Sequence, residues 1–169
     1  MFLYAAQRWA SIAPTGWARK AGKNLMQSPA KGTILLVEDH ADSLSALAML
    51  LRREGYDIHV ASGVREASAV AAASGCDLLL ADLGLPDGNG TELMRELKVS
   101  RGARGIAISG FTDEPTKRQA ADAGFEKFIE KPAVFDSLLA AVRDVMSKPS
   151  QRVPAALSAA EPEPVNSAH

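Results

Sequence analysis

Three short runs in this chain are almost wholly apolar: "TILLV" at 33–37, "DLLLA" at 77–81 and "GIAIS" at 105–109. Each is shorter than an ordinary helix and carries no polar stripe, which suits a strand buried on both faces. Two further strands follow the same logic, the alternating "DIHVA" at 57–61 and the short "KFIE" at 127–130. The segments between them have helical periodicity. Residues 41–54 put Leu44, Leu47, Ala48 and Leu51 on one face and stop at Gly55. Residues 64–73 form an Ala-rich helix for which Ser62 is the candidate cap, and 91–98 read as a helix after a glycine loop. Asp113 can cap a fourth helix, with Pro115 in its first turn and Gly124 at its end. Phe135, Leu138, Leu139, Val142 and Met146 mark the fifth. Five strands alternating with five helices, three of the strands continuously apolar, point to a parallel sheet covered on both faces.

In an open sheet of that kind, ligands bind beyond the carboxyl ends of the strands. The residues expected at that edge are Glu38 and Asp39 after the first strand, Asp82 after the third, Ser109 at the end of the fourth, and Lys131-Pro132 after the fifth. Asp82 opens "DLGLPDGNG", where one aspartate could be a turn former, a metal ligand or a nucleophile. Three clustered carboxylates repel one another and call for a cation, and a hard, oxygen-liganded ion such as Mg²⁺ suits them. A carboxylate beside such an ion, with an ammonium and a hydroxyl as donors, suits a phosphoryl group. Aspartate is a nucleophile able to carry one as an acyl phosphate.

The segments "ILLVEDH", "DLLLADLGLPDGNG", "AISG" and "FIEKP", in that order, resemble the receiver domain of two-component response regulators over about residues 31–146. The resemblance implies a flavodoxin-like (βα)5 fold with strand order 2-1-3-4-5. It implies that Asp82 is the phosphoacceptor and that Mg²⁺ is held by Glu38, Asp39, Asp82 and the backbone carbonyl of Gly84. Ser109 and Lys131 then bind the phosphoryl oxygens, Phe128 takes the switch-aromatic position, and the Lys131–Pro132 bond is cis. Gly84 and Phe111 fall two residues beyond the acceptor and the hydroxyl, where the family tunes phosphoryl lifetime. The implied donor is a histidine kinase or a phosphotransfer protein. The implied role is a signalling switch rather than an enzyme, read by a downstream protein and monomeric or weakly dimeric on phosphorylation. Two other readings stand beside it: a receiver detached from a hybrid histidine kinase, and a degenerate receiver serving as a constitutive protein-binding module.

Other motifs fit less well. An EF-hand loop starting at Asp82 would need oxygen ligands where Gly84 and Pro86 stand. A dinucleotide fingerprint at Gly88-Asn89-Gly90 lacks its third glycine and follows the wrong strand. His40 and His59 read as surface or packing residues, without a partner at metal-ligand spacing. Gly84, Gly88 and Gly90 are expected to supply backbone geometries closed to other residues.

Composition narrows the partners. From Lys31 to Met146 there are 18 Asp and Glu against 13 Lys and Arg, and no basic stripe, which argues against direct contact with nucleic acid. No apolar run approaches the roughly 18 residues of a membrane span. Cys76 is the only cysteine, which excludes an intramolecular disulfide and fits a reducing cytoplasm. Residues 1–30 carry Arg8, Arg19, Lys20 and Lys23 and no acid, and show no clean period. They are expected to be a linker or extension, with an organelle transit peptide, a remnant of an upstream domain and a start at Met26 as other readings. Residues 31–147 form the domain, and 148–169, rich in Pro, Ala and Ser, read as a disordered tail too short for an output domain.

Overall fold

The structure, a computed structural model, describes residues 30–148. The expectations for residues 1–29 and for the tail beyond 148 lie outside the described residues.

Among the described residues, five strands form one sheet: β1 (Thr33–Val37), β2 (Asp57–Ala61), β3 (Leu78–Asp82), β4 (Arg104–Ser109) and β5 (Lys127–Glu130). Their order is β2-β1-β3-β4-β5 and every pairing is parallel. Five helices connect and follow them: α1 (Ala41–Arg53), α2 (Val64–Ser74), α3 (Gly90–Arg101), α4 (Glu114–Ala123) and α5 (Phe135–Ser147). This is the flavodoxin-like arrangement expected from the sequence, with boundaries shifted by a few residues. The largest shift is in α3, which begins at Gly90 and runs to Arg101.

The period-two alternation of side chains along a strand divides the core in two. Ile34, Leu36, Leu78, Leu80, Ile106 and Ile108 face α1 and α5, where Leu51, Leu138 and Val142 meet them. Leu35, Val37, Leu79, Ala81 and Ala107 face α2, α3 and α4, where Ala67, Ala71, Leu93, Met94 and Ala120 close the layer. Each fully buried Leu or Ile contributes about 2 kcal/mol of transfer free energy. Residues 34–37 of β1 and 78–81 of β3 are apolar throughout because both faces of these strands are covered.

The helix ends follow local chemistry. Asp113 caps α4 by accepting from the Thr116 N–H at 2.9 Å, as the sequence suggests. Asn89 caps α3 through the Thr91 N–H at 2.9 Å. Ser62 does not cap α2. Its N–H and hydroxyl both donate to the Glu66 carboxylate at 2.8 Å, and the residue at the cap position is Gly63. The loop after β3 also holds a short element absent from the periodicity. Gly84–Leu85 pairs antiparallel with Gly88–Asn89, so Pro86 and Asp87 form the tip of a hairpin. The three glycines of this loop are not needed for left-handed backbone, since none has positive φ. At Gly90 the requirement is space: a Cβ there would sit 2.5 Å from the carbonyl oxygen of Asp82.

Candidate functional site

The carboxyl ends of the strands converge as the order demands. Glu38 follows β1, and its N–H donates to the Ala61 carbonyl at 3.2 Å, extending the ladder with β2. Asp82 closes β3 opposite Ile108. Ser109 closes β4 opposite Glu130, and its carbonyl accepts from the Lys131 N–H at 2.9 Å. The Lys131–Pro132 peptide is cis, as the resemblance implied.

Lys131 joins the rim. Its Nζ donates to Asp82 Oδ2 at 2.6 Å and to Glu38 Oε2 at 2.8 Å. Glu38 is 2% exposed and Asp82 8%, so both acids sit in a wall of low polarity with this ammonium between them. Burial pulls the Lys131 pKa down, but the hydrogen bonds and charges of Asp82 and Glu38 outweigh it and leave the pKa raised. The other oxygen of Asp82 accepts from the Gly84 N–H at 2.9 Å, so the hairpin holds the carboxylate from the opposite side.

A second group lies beside the first. The ligand atoms of Glu38, Asp39 and His40 lie within 4.8 Å of one another. His40 Nδ1 is 2.7 Å from Asp39 Oδ1 and 3.2 Å from Glu38 Oε1. Slight burial would raise the Asp39 pKa, but the hydrogen bond and charge of His40 hold it below the usual carboxylate range. The Asp39 hydrogen bond, with its charge and the Glu38 contact, raises His40 in turn. The expectation that His40 has no partner at metal-ligand spacing is thereby corrected, while its largely exposed side chain agrees with its reading as a surface residue. His59 pairs with Asp57 at 3.4 Å, away from this edge. Glu38 is the shared member of both groups, and among the described residues the carboxylates at this rim outnumber Lys131. That oxygen-rich, anionic donor set fits a hard divalent cation.

Ser109 is fully buried, and its hydroxyl accepts from the Phe111 N–H at 3.0 Å, so it is engaged with its own loop. Phe111, missed as a neighbour of the hairpin, reaches over it. A Cβ built on Gly84 would lie 3.7 Å from both the Phe111 ring and Asp82 Oδ1. Positions 84 and 111, for which the resemblance implies a tuning role, are thus adjacent in space. Phe128 is half-buried against the core, with Lys117 Nζ 5.9 Å from its ring centroid and that ammonium paired to Glu130 at 2.9 Å. An open groove lined by His40, Leu47, Ile108, Lys131 and Pro132 leads to the rim from the α1 side.

A doubly wound sheet in this order, with acids braced by a lysine at its carboxyl edge, is the arrangement of a CheY-like signalling domain. More particularly, residues 34–143 match the family model described as the response regulator receiver domain, and the chain belongs to that family. It is 36% identical over 110 residues to the transcriptional regulatory protein KdpE of Mycobacterium tuberculosis, a match over 65% of this chain and 49% of that protein. The chain therefore spans about half the length of the curated relatives it matches. A crystal structure of a CheY-like receiver domain protein from Methanospirillum hungatei superposes with a TM-score of 0.66 at 28% identity, over 69% of this chain and 94% of that one. The non-phosphorylated HemR receiver domain from Leptospira biflexa does so at 0.65 and 26%, over 70% and 96%. Among the described residues, no helix is long and apolar enough to cross a membrane.

Proposed function

We propose that this receiver accepts a phosphoryl group on Asp82 from the phosphohistidine of a histidine kinase or phosphotransfer protein. The observation that carries the reading is the position of Asp82 Oδ2, at a strand end, 2.6 Å from an ammonium that Glu38 shares. In the transfer, the P–N bond of the phosphohistidine breaks and a P–O bond to the Asp82 carboxylate forms. The imidazole nitrogen leaves with the electron pair. Lys131 is placed to stay with the transferred oxygens, and Ser109 becomes a donor to them once its hydroxyl turns from Phe111. Glu38, Asp39, Asp82 and the Gly84 carbonyl would hold Mg²⁺, which when bound offsets charge on the phosphoryl oxygens. In this reading the domain is a cytoplasmic switch rather than an enzyme, and its output is a surface read by a partner protein.

The test is intact mass after incubation with Mg²⁺ and acetyl phosphate or a phosphorylated kinase. One phosphoryl group per chain, removed by hydroxylamine as an acyl phosphate must be, is the expected result. A protein that stays at its starting mass with both donors sinks the reading.

The output route has its own prediction. The phosphoryl group adds charge and acceptor oxygens next to Ser109 and Lys131. Drawing the Ser109 hydroxyl toward them releases the Phe111 N–H and moves the loop that leads to α4. Phe128, only half-buried, can then turn inward under α4. Ser109→Ala should keep phosphate on Asp82 but lose about 1–3 kcal/mol of coupling to that face, the usual scale of allosteric coupling. Amide shifts of residues 113–135 with and without beryllofluoride measure this; equal shifts in the wild type and the variant would rule out the route through Ser109.

A further inference from the structure

The hairpin that carries Gly84 is small: two residue pairs, Gly84 with Asn89 and Leu85 with Gly88. A ladder of that size is marginal by itself in water and needs outside anchors. Leu85 provides one by entering the core, and Asn89 another by capping α3. The third anchor is Asp87, at the tip. Its Oδ1 accepts from the Val64 N–H at 2.8 Å and its Oδ2 from the Arg65 N–H at 3.1 Å, with Arg65 Nε 3.6 Å away. These are the first two amides of α2, which has no side-chain cap of its own. Helix N-termini leave such amides unpartnered and favour an anion there. Gly63 and Gly88 are shaped to this contact. A Cβ on Gly63 would fall 2.5–2.7 Å from the Asp87 carboxylate, and one on Gly88 would fall 3.1 Å from Val64.

We propose that Asp87 is a positioning residue of the phosphoacceptor site: it pins the hairpin tip to the open end of α2 and so holds the Gly84 peptide against Asp82. The inference rests on the proposed function and extends it to a residue that touches no phosphoryl oxygen. The chain of contacts is short. Val64 and Arg65 fix Asp87, the hairpin fixes Gly84 relative to Asp87, and the Gly84 N–H fixes Asp82 Oδ1 at 2.9 Å. The same residue carries both this amide and the carbonyl assigned to the cation, so freeing the tip loosens both.

The test uses the full chain, ¹⁵N-labelled, titrated with Mg²⁺ and then with beryllofluoride. Asp87→Ala should weaken Mg²⁺ binding about tenfold, the lower end of what loss of an outer support costs a metal site. The Gly84 amide should also exchange faster with solvent, because its bond to Asp82 opens more often. Asp87→Asn, which keeps one acceptor oxygen, should recover part of both effects. Gly63→Ala keeps Asp87 but places a methyl where its carboxylate lies, and should behave like Asp87→Ala. If Val64 and Arg65 lose protection while Gly84 exchange and Mg²⁺ affinity stay at wild-type values in both Asp87→Ala and Gly63→Ala, the contact serves α2 alone and the inference is wrong. If the wild type shows no Mg²⁺ response, the proposed function fails and takes this inference with it.

Discussion

Asp82→Asn should leave no detectable phosphoryl group on the protein, with either acetyl phosphate or a phosphorylated kinase as donor. An amide oxygen is too weak a nucleophile to form the acyl phosphate, so the loss is complete rather than graded. The fold should survive, because the substituted amide can still accept from the Gly84 N–H through its oxygen. The other side-chain atom changes sense. Where Asp82 Oδ2 accepts from Lys131 at 2.6 Å, the variant has an NH₂ facing an ammonium. Lys131 is left with Glu38, and cation binding at the rim weakens because one of its carboxylates has gone. Intact mass reads the first effect, and calorimetric titration with Mg²⁺ reads the second. An Asp82→Asn protein that gains one hydroxylamine-labile phosphoryl group places the acceptor elsewhere; a variant with unchanged Mg²⁺ affinity removes Asp82 from the cation site.

Much of this site was legible in the sequence, for a physical reason. A continuous apolar strand must be buried on both faces, so the polar residue that ends it lies at the sheet edge. "TILLVED", "DLLLAD" and "AIS" therefore announce where Glu38, Asp82 and Ser109 emerge before any contact is known. Asp113, Pro115 and Gly124 bound α4 by local chemistry, and the structure agrees with that reading. What periodicity could not supply are contacts between residues far apart in the chain. Asp87 caps a helix that starts 23 positions earlier, and the local candidate, Ser62, turns instead to Glu66. The glycines of the loop suggested unusual backbone angles, but Gly90 is small because the Asp82 carbonyl lies against it. That approach is a property of packing between β3 and α3, which no single segment encodes. His40 escaped for a similar reason: its ring returns over the two carboxylates that precede it, and side-chain direction is not set by spacing.

Lys131→Met tests whether that ammonium is the counter-ion of the rim or simply a packed side chain. Methionine keeps much of the length and the apolar stem, so packing changes little, but Glu38 and Asp82 lose their shared cation. Removing one member of a largely buried charge set costs about 3–5 kcal/mol when nothing replaces it. Here the remaining exposure of Lys131 and of the rim brings the expected loss nearer to about 2–3 kcal/mol, after allowance for solvent screening. The sign of the pH dependence follows. The deficit is the lost attraction between an ammonium and ionised carboxylates, so it fades in acid, where carboxylates as a class are neutral. The deficit should therefore be large at pH 8 and small near pH 4. Mg²⁺ should also shrink it at pH 8, because the ion supplies the charge that Lys131 gave. The wild type has the opposite signature. Its Lys131 pKa is raised above 10.5, so the stability that this ammonium contributes is fully present at neutral pH and is lost only as pH rises through the raised value. Urea denaturation of both proteins at pH 8 and pH 4, each with and without Mg²⁺, resolves the four cases. A deficit that is the same at both pH values and indifferent to Mg²⁺ would mean that Lys131 contributes packing and no charge. The variant should also transfer poorly: with the ammonium gone, the incoming phosphoryl oxygens meet an uncompensated pair of acids.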